Sequence, residues 1–341
     1  MNPYYKEYPM KVLFIGGTGI ISSACSELAA RNGIELYLLN RGQTARPAPD
    51  DAILLRGDIR QPDSVEKILG DLKFDVVVDW VAFTPNQVST DLVLFRNRTR
   101  QYIFISSASA YQKPPAFLPI TESTPLDNPF WQYSRDKAAC EALLEQAGLQ
   151  EGFPFTIVRP SHTYDRTLLP FDGGYTIVAR MRAGKPVVVH GDGTSLWTMT
   201  HHRDFAVGFL GLLGNPHAIA QSFHITSDEC LSWNQIYTIV AEAAGVEPQL
   251  VHVPSELISR HDPEWGASLL GDKAHSMIFD NHKIRKLVPE FRPTIPFWLG
   301  AREIITWYDE DSSRRRVNSH VDGLQDQLVT AMKKALPENK E

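Results

Sequence analysis

Cysteine is scarce in this chain: Cys25, Cys140 and Cys230 are the three in 341 residues, and no two of them form a CxxC pair. A disulfide framework or a cysteine-built zinc site therefore finds little support. Cys25 and Cys140 fall within helical patterns and read as buried, inert thiols. Long apolar runs are also lacking. The opening segment MNPYYKEYPMKV has no long apolar core, so it reads as neither a signal peptide nor a membrane anchor, and a cytoplasmic location is the default expectation. No strong excess of one charge is present. The formal net charge of −6 disfavours a general nucleic-acid surface or an anionic-membrane surface. Internal repeats and low-complexity tracts are absent as well. With 43% hydrophobic and 22% charged residues, the chain can build a sizeable core, and global disorder is not expected.

The first half does contain a regular alternation of short apolar runs and helical patterns. Strands are expected at Val12–Ile15, Glu35–Leu39, Ala52–Leu55, Val76–Asp79, Tyr102–Ser106 and Thr156–Arg159. Helices are expected near Ile20–Arg31, Pro62–Leu72, Gln87–Phe95 and Tyr133–Ala147. Continuous apolar strands alternating with helices indicate an α/β fold with a doubly wound parallel sheet, covered on both faces. After Pro160 the rhythm loosens, and residues 160–175 suit a loop over a cleft. Shorter elements follow near Val187–His190, Asp204–Leu213, Phe223–Ile225 and Trp233–Ala244, which read as a smaller mixed domain. The expected organisation is 10–160 for the dinucleotide-binding part, 161–315 for an interleaved and mainly substrate-side part, and 1–9 and 316–341 as terminal extensions. Asp309–Arg316 is densely charged and reads as solvated. The sequon at Asn97–Thr99 reads as a chance match.

One glycine-rich turn carries the first chemical signal. Gly16, Gly17 and Gly19, with Thr18 between them, stand between the first strand and a helix that begins at Ile20 and Ile21. That junction seats a dinucleotide pyrophosphate on a helix N-terminus. Ser22 occupies the place of a third glycine and is small enough to substitute. Asn40-Arg41 ends the second strand, where an acid usually receives the ribose hydroxyls. Asparagine does not repel a 2′-phosphate and Arg41 can pair with one, so NADP is slightly favoured over NAD. Arg41 is also readable as a solvated turn residue beside Gly42. Asp58, followed by Ile59, has two readings: a receiver for the adenine amino group, or an acid placed ahead of the next helix.

Tyr133 and Lys137 carry the second signal. Four residues apart on a helix, they lie on one face, and a phenol beside an ammonium can act as a proton-transfer pair. Together, GGTGIIS, Gly57-Asp58, FISSASAY (104–111), Tyr133–Lys137, Arg159-Pro160 and Gly191–Gly193 resemble an extended short-chain dehydrogenase/reductase. More narrowly, they resemble the NAD-dependent epimerase/dehydratase group, over roughly residues 10–310. The resemblance implies a Rossmann-like sheet with a smaller substrate-binding domain, a nicotinamide cofactor, and a catalytic set of Ser107, Tyr133 and Lys137. In that set Tyr133 exchanges a proton with the substrate oxygen while hydride moves, Lys137 stabilises phenolate and holds the nicotinamide ribose, and Ser107 hydrogen-bonds the reacting oxygen. Ser106 and Ser109 are rivals of Ser107. Ala82 is expected to border the nicotinamide, and Trp80 either borders it or belongs to the core.

Departures from the family pattern narrow the expectation. About 24 residues separate Ala82 from Ser106, room for one short helix where the family carries a longer one that pairs two subunits, so the usual homodimer is in doubt. Trp197 and Leu269 stand where arginines grip a sugar-nucleotide diphosphate. The substrate is therefore expected to be a small carbohydrate-like molecule, with Ser109, His162, Trp197 and Arg203 as candidate contacts. His162 also reads as a residue satisfying its own loop. Ala108-Ser109-Ala110 lacks the acid typical of 4,6-dehydratases, so dehydration is disfavoured. His201, His202 and Asp204 invite a metal reading, but a helix start explains them equally, and no metal is expected. Three functions remain: an oxidoreductase on a carbohydrate-like substrate, a nucleotide-sugar epimerase with retained NAD, and a non-catalytic relative that binds RNA.

Overall fold

The computed structural model describes residues 9–335. The expected terminal extensions at 1–8 and 336–341 lie outside the described residues. Six apolar runs become β1 (Lys11–Ile15), β2 (Glu35–Asn40), β3 (Ile53–Arg56), β4 (Phe74–Asp79), β5 (Thr99–Ile105) and β6 (Phe155–Pro160). Between them stand α1 (Ile20–Arg31), α2 (Pro62–Leu69), α3 (Pro85–Phe95) and α4 (Gln132–Glu151). Local sequence explains several ends. Thr84 and Gln87 cap α3 reciprocally, ahead of Pro85 in its first turn. Gly152 closes α4 in the left-handed conformation, at φ 68°.

Further on come β7 (His162–Tyr164), α5 (Tyr175–Arg182), β8 (Pro186–His190), β9 (Leu196–Trp197), β10 (Met199–His201) and α6 (His202–Leu210). Then follow β11 (Gln221–Ile225), β12 (Leu231–Ser232), α7 (Trp233–Ala243), β13 (Gln249–Val253), α8 (Ser255–His261) and α9 (Pro263–Ser268). The last helices are α10 (His282–Leu287), α11 (Phe297–Glu310) and α12 (Ser319–Ala335).

The main sheet has seven strands in the order β11-β6-β5-β4-β1-β2-β3, all parallel. Alternate residues of β1 serve opposite layers. Val12 and Phe14 pack with Cys25 of α1 and Phe205 and Phe209 of α6, whereas Leu13 and Ile15 pack with Val65, Val88 and Leu144 of α2, α3 and α4. Burial on both faces is why these strands read as continuous apolar runs. Cys25 and Cys140 are buried free thiols.

Three elements depart from the sequence reading. The segments near Asp204–Leu213 and Phe223–Ile225, expected in the smaller domain, return to the main sheet as α6 and β11. Phe223 and Ile225 alternate inward beside β6 and share a core with Val158. Residues 319–335, expected as extension, form α12. Its Leu324, Leu328 and Val329 pack on Val188, Val253 and Ile258. α12 therefore seals an apolar face.

Candidate active site

The chain winds outward in both directions from the neighbours β1 and β4, so a crevice opens at their carboxyl ends. Gly16 and Gly17 turn there with φ of 104° and 91°, a region that favours glycine. A Cβ on Gly17 would stand 2.6 Å from Leu38 Cδ2. Ser22 is more than a small substitute for glycine: its Oγ accepts from the Gly19 N–H at 2.8 Å. The crevice becomes a groove of about 540 Å³. It is lined by Gly16, Gly17, Thr18, Gly19, Ile20 and Ile21 in the middle, Asn40, Arg41, Asp58 and Ile59 at one end, and Tyr133 and Lys137 at the other. Ala82 lies beneath rather than in the groove, and its carbonyl oxygen accepts from Lys137.

At the far end, Asn40 Oδ1 accepts from the Gly42 N–H at 3.0 Å and shapes the turn that presents Arg41. Arg41 is exposed and has no hydrogen-bond or ion-pair partner among the described residues. Asp58 is taken up by Arg60, which donates through Nε at 2.9 Å and a terminal nitrogen at 2.7 Å. That guanidinium holds the Asp58 carboxyl down at about 2. The loop beyond Arg41 then crosses the glycine turn. Thr44 and Thr18 share a hydroxyl hydrogen bond at 2.8 Å, and Arg46 pairs with Asp165 at 2.7 Å on the opposite side. The loop thus forms a strap anchored at both ends.

Tyr133, Lys137 and Glu141 fall at i, i+4 and i+8 on α4 and share a face. Lys137 donates to the carbonyl oxygens of Ala82 and Ile105, each at 2.7 Å, leaving one N–H for the groove. Burial pulls its ammonium down to about 8. The Tyr133 phenol does not follow the expectation of a lowered pKa. Burial pushes it up, the Ser107 hydroxyl opposes this, and Asp272 adds a further upward push. Lys137 spends its charge on two carbonyls and a pair of flanking rings, its Nζ lying 4.7 Å from the centroids of both Phe83 and Phe104. Without cofactor, Tyr133 is a protonated phenol. Among the candidate serines, Ser106 is consumed by a short hydrogen bond to Glu141. Ser107 shares a bond with Ser109 at 2.9 Å, and Ser134 donates onward to Ser109 at 2.9 Å.

Buried ion pairs support this face. Arg159, at the end of β6, donates to Glu141 through Nε at 3.0 and 3.1 Å and through a terminal nitrogen at 2.6 Å. The pair fixes α4 against β5 and β6. Beneath the groove, Asp79 accepts from the N–H groups of Val81 and Ala82 at 2.5 and 2.7 Å, which aims the Ala82 carbonyl at Lys137. Trp80 lines the groove and packs on Phe14 and Phe209 in the core.

A second cleft of about 320 Å³ begins where the groove ends, and Tyr133 and Pro160 line both. Ser107, Ser109, His162 and Trp197 line it, as does a set missed in the sequence: Trp131, Asp272 and Lys273. His162 does not satisfy its loop, because its Nε2 is buried with no hydrogen-bond partner among the described residues. Arg203 lies outside both clefts, half-exposed and paired with Glu303. Of its neighbours, His201 and Asp204 are engaged, whereas Nδ1 of His202 is buried without a hydrogen-bond partner among the described residues. His201 Nε2 pairs with Glu303 at 3.1 Å, and Asp204 accepts from the N–H groups of Thr294 and Ile295 at 3.1 and 2.9 Å. Among the described residues, no group of three or more His, Cys, Asp or Glu could hold a metal ion. No described helix is long and apolar enough to cross a membrane.

Known proteins resemble this chain in sequence and in fold. The sequence pattern of the NAD dependent epimerase/dehydratase family matches residues 12–226. Chloroplast stem-loop binding protein of 41 kDa b from Arabidopsis thaliana is 28% identical over 257 residues, covering 71% of this chain and 65% of that relative. The chain thus spans just under two thirds of that relative's length. A 2′-dehydrokanamycin reductase from Streptomyces kanamyceticus is 24% identical over 298 residues, 84% of this chain and 81% of its own. In structure, an epimerase from Methanothermobacter thermautotrophicus superimposes with a TM-score of 0.73 at 16% identity, covering 90% of this chain and 94% of that one.

Proposed function

The chain belongs to the NAD-dependent epimerase/dehydratase family, and from that premise we propose an NAD(P)-dependent oxidoreductase acting on a hydroxyl or ketone carbon of a small carbohydrate-like substrate. The observation that carries this reading is that Tyr133 stands in both clefts at once. One cleft has the length and glycine floor for a dinucleotide, the other suits a single ring, and a proton donor stands at their junction.

The groove fits the cofactor on two counts. The Gly16–Gly19 turn lines the groove at the start of α1, where backbone N–H groups suit a pyrophosphate, and the unpaired Arg41 guanidinium suits the 2′-phosphate of NADP. When bound, the nicotinamide supplies or takes the hydride. Lys137 offers its remaining N–H to the ribose. Ser107 donates to the reacting oxygen. In reduction Tyr133 gives its hydroxyl proton to that oxygen, and in oxidation it takes the proton back as the carbonyl forms. The three free cysteines suit a reducing, cytoplasmic compartment.

Nucleotide-sugar epimerisation is the second reading. It uses the same three residues, and the Arg46–Asp165 strap, which would slow cofactor exchange, favours it. The second cleft speaks against it, since no arginine lines it to hold a diphosphate. Cofactor retained through purification, together with tight UDP binding, would restore epimerisation. For the oxidoreductase reading the test is Tyr133→Phe. The variant should fold and bind NADPH like the parent while losing at least about 99% of NAD(P)H-linked turnover. Undiminished turnover would remove Tyr133 from the chemistry.

A further inference from the structure

The cleft beyond Tyr133 contains a buried cation with unused donors. Lys273 is 9% exposed, and its ammonium makes one long hydrogen bond among the described residues, 3.4 Å to Ser268 Oγ. It stands 5.9 Å from the centroid of the Trp131 ring, which walls the same cleft. The adjacent carboxylate, Asp272, is shared: Lys113, whose side chain is fully buried, forms an ion pair at 3.4 Å with its Oδ1, although that oxygen has no hydrogen-bond partner among the described residues. Two ammonium groups therefore face one carboxylate, leaving one positive charge without a partner. A buried charge in that state is costly, and a bound anion relieves it.

The remaining polar atoms call for hydroxyls rather than a second anion. Nε1 of Trp197, Nε2 of His162 and Oδ1 of Asp272 are buried without hydrogen-bond partners among the described residues, and the last can accept from a ligand hydroxyl. His162 stays neutral, its imidazole held down at about 3 by burial and by the Lys273 charge, so it can accept or donate one hydrogen bond at that nitrogen. Ser107 and Ser109 add a pair of hydroxyls beside Tyr133. A volume of about 320 Å³ lies at the small end for ligand sites and holds one sugar-sized molecule, not a nucleotide. A phosphate ester brings about two negative charges to a site with one unmatched cation and no arginine fork.

We propose that this cleft takes a polyhydroxylated carboxylic acid of single-sugar size, a hexuronate or an aldonate. Its carboxylate sits on Lys273 and its hydroxyls meet His162, Trp197 and the Ser107–Ser109 pair. This assignment rests on the reading of the cleft as the substrate site and names the substrate class.

Binding, measured without turnover, tests it. The purified protein, saturated with NADP, is titrated calorimetrically at low ionic strength with glucuronate, galacturonate and gluconate. Glucose, galactose, glucose 6-phosphate and UDP-glucose serve as comparisons. At least one acid should bind about tenfold or more tightly than its uncharged counterpart. Lys273→Met should bring acid and neutral sugar within about twofold of each other, while Lys273→Arg keeps most of the preference. NADPH affinity in the same variants reports folding, and if Lys273→Met loses it, the preference of the parent protein decides. Equal binding of acids and neutral sugars, or tighter binding of glucose 6-phosphate or UDP-glucose than of every acid, overturns the proposal. An acid that binds tightly but exchanges no hydride would leave this assignment standing and remove the oxidoreductase reading instead.

Discussion

Replacing Glu141 with glutamine removes the carboxylate that neutralises Arg159 while keeping the shape of the side chain. Both partners are almost wholly buried, with side-chain exposures of 1% and 4%, and the guanidinium makes three contacts to the carboxylate between 2.6 and 3.1 Å. The amide retains part of the hydrogen bonding, but the arginine charge stays in the interior without a counter-ion. Breaking a buried pair from one side costs about 3–5 kcal/mol. For a chain of this size that lowers the melting temperature by roughly 4–7 °C. Glu141 also pins the face of α4 that carries Tyr133 and Lys137, so turnover should fall along with stability. Removing both charges in Glu141→Leu/Arg159→Met should recover at least half of the lost stability, because two desolvated ions are replaced by apolar packing. Calorimetric unfolding of the parent, Glu141→Leu, Arg159→Met and the double variant forms a complete cycle, with Glu141→Gln measured beside it. A single variant within 1 kcal/mol of the parent, or a double variant that loses the sum of the two singles, would refute the claim that this pair anchors the helix.

Arg41→Ala should weaken NADP by about tenfold and NAD by less than about twofold in fluorescence titrations, since the exposed guanidinium would lose only a phosphate contact. An equal effect on both cofactors would remove it from phosphate recognition. Lys137 also gives a pH signature. Its ammonium is depressed to about 8, so the charged form is full below that pH and is lost as pH rises through it. Turnover should therefore decline above about pH 8. Residual activity in Lys137→Arg should lack that limb, because arginine keeps its charge throughout. A limb that persists in the arginine variant would belong to another group.

Much of the dinucleotide half is local in sequence. The β1 run, the two positive-φ glycines and the α1 start follow one another within a dozen residues, and each obeys a short-range rule. The four-residue spacing of Tyr133 and Lys137 is equally local, and it does place both side chains in the groove. What escaped reading depends on pairing across the chain. Arg46 meets Asp165 and Arg180 meets Asp322, over separations of more than a hundred residues with no local pattern to mark them. Asp272 and Lys273 follow the short α9 helix, where nothing in their neighbours announces a cleft 140 residues from Tyr133. The seventh strand was visible as a strand, but its partner was not, since Phe223–Ile225 carries the same alternation whichever sheet it joins. Burial was the other hidden quantity. The expected drop in the Tyr133 pKa combined the nearby ammonium with the positive charge of a bound nicotinamide and left out burial and Asp272, which push the phenol up in the protein without cofactor.

The central claim is that a nicotinamide ring lies beside Tyr133 at the junction of the two clefts. A crystal structure of the protein grown with NADP or NAD tests it most directly. The account predicts a dinucleotide with its pyrophosphate on the Gly16–Gly19 turn, its adenosine near Arg41, and its nicotinamide C4 facing the cleft of His162 and Lys273 within reach of the Tyr133 hydroxyl. A dinucleotide bound with its nicotinamide away from Tyr133, or a groove left empty at saturating cofactor, would contradict it.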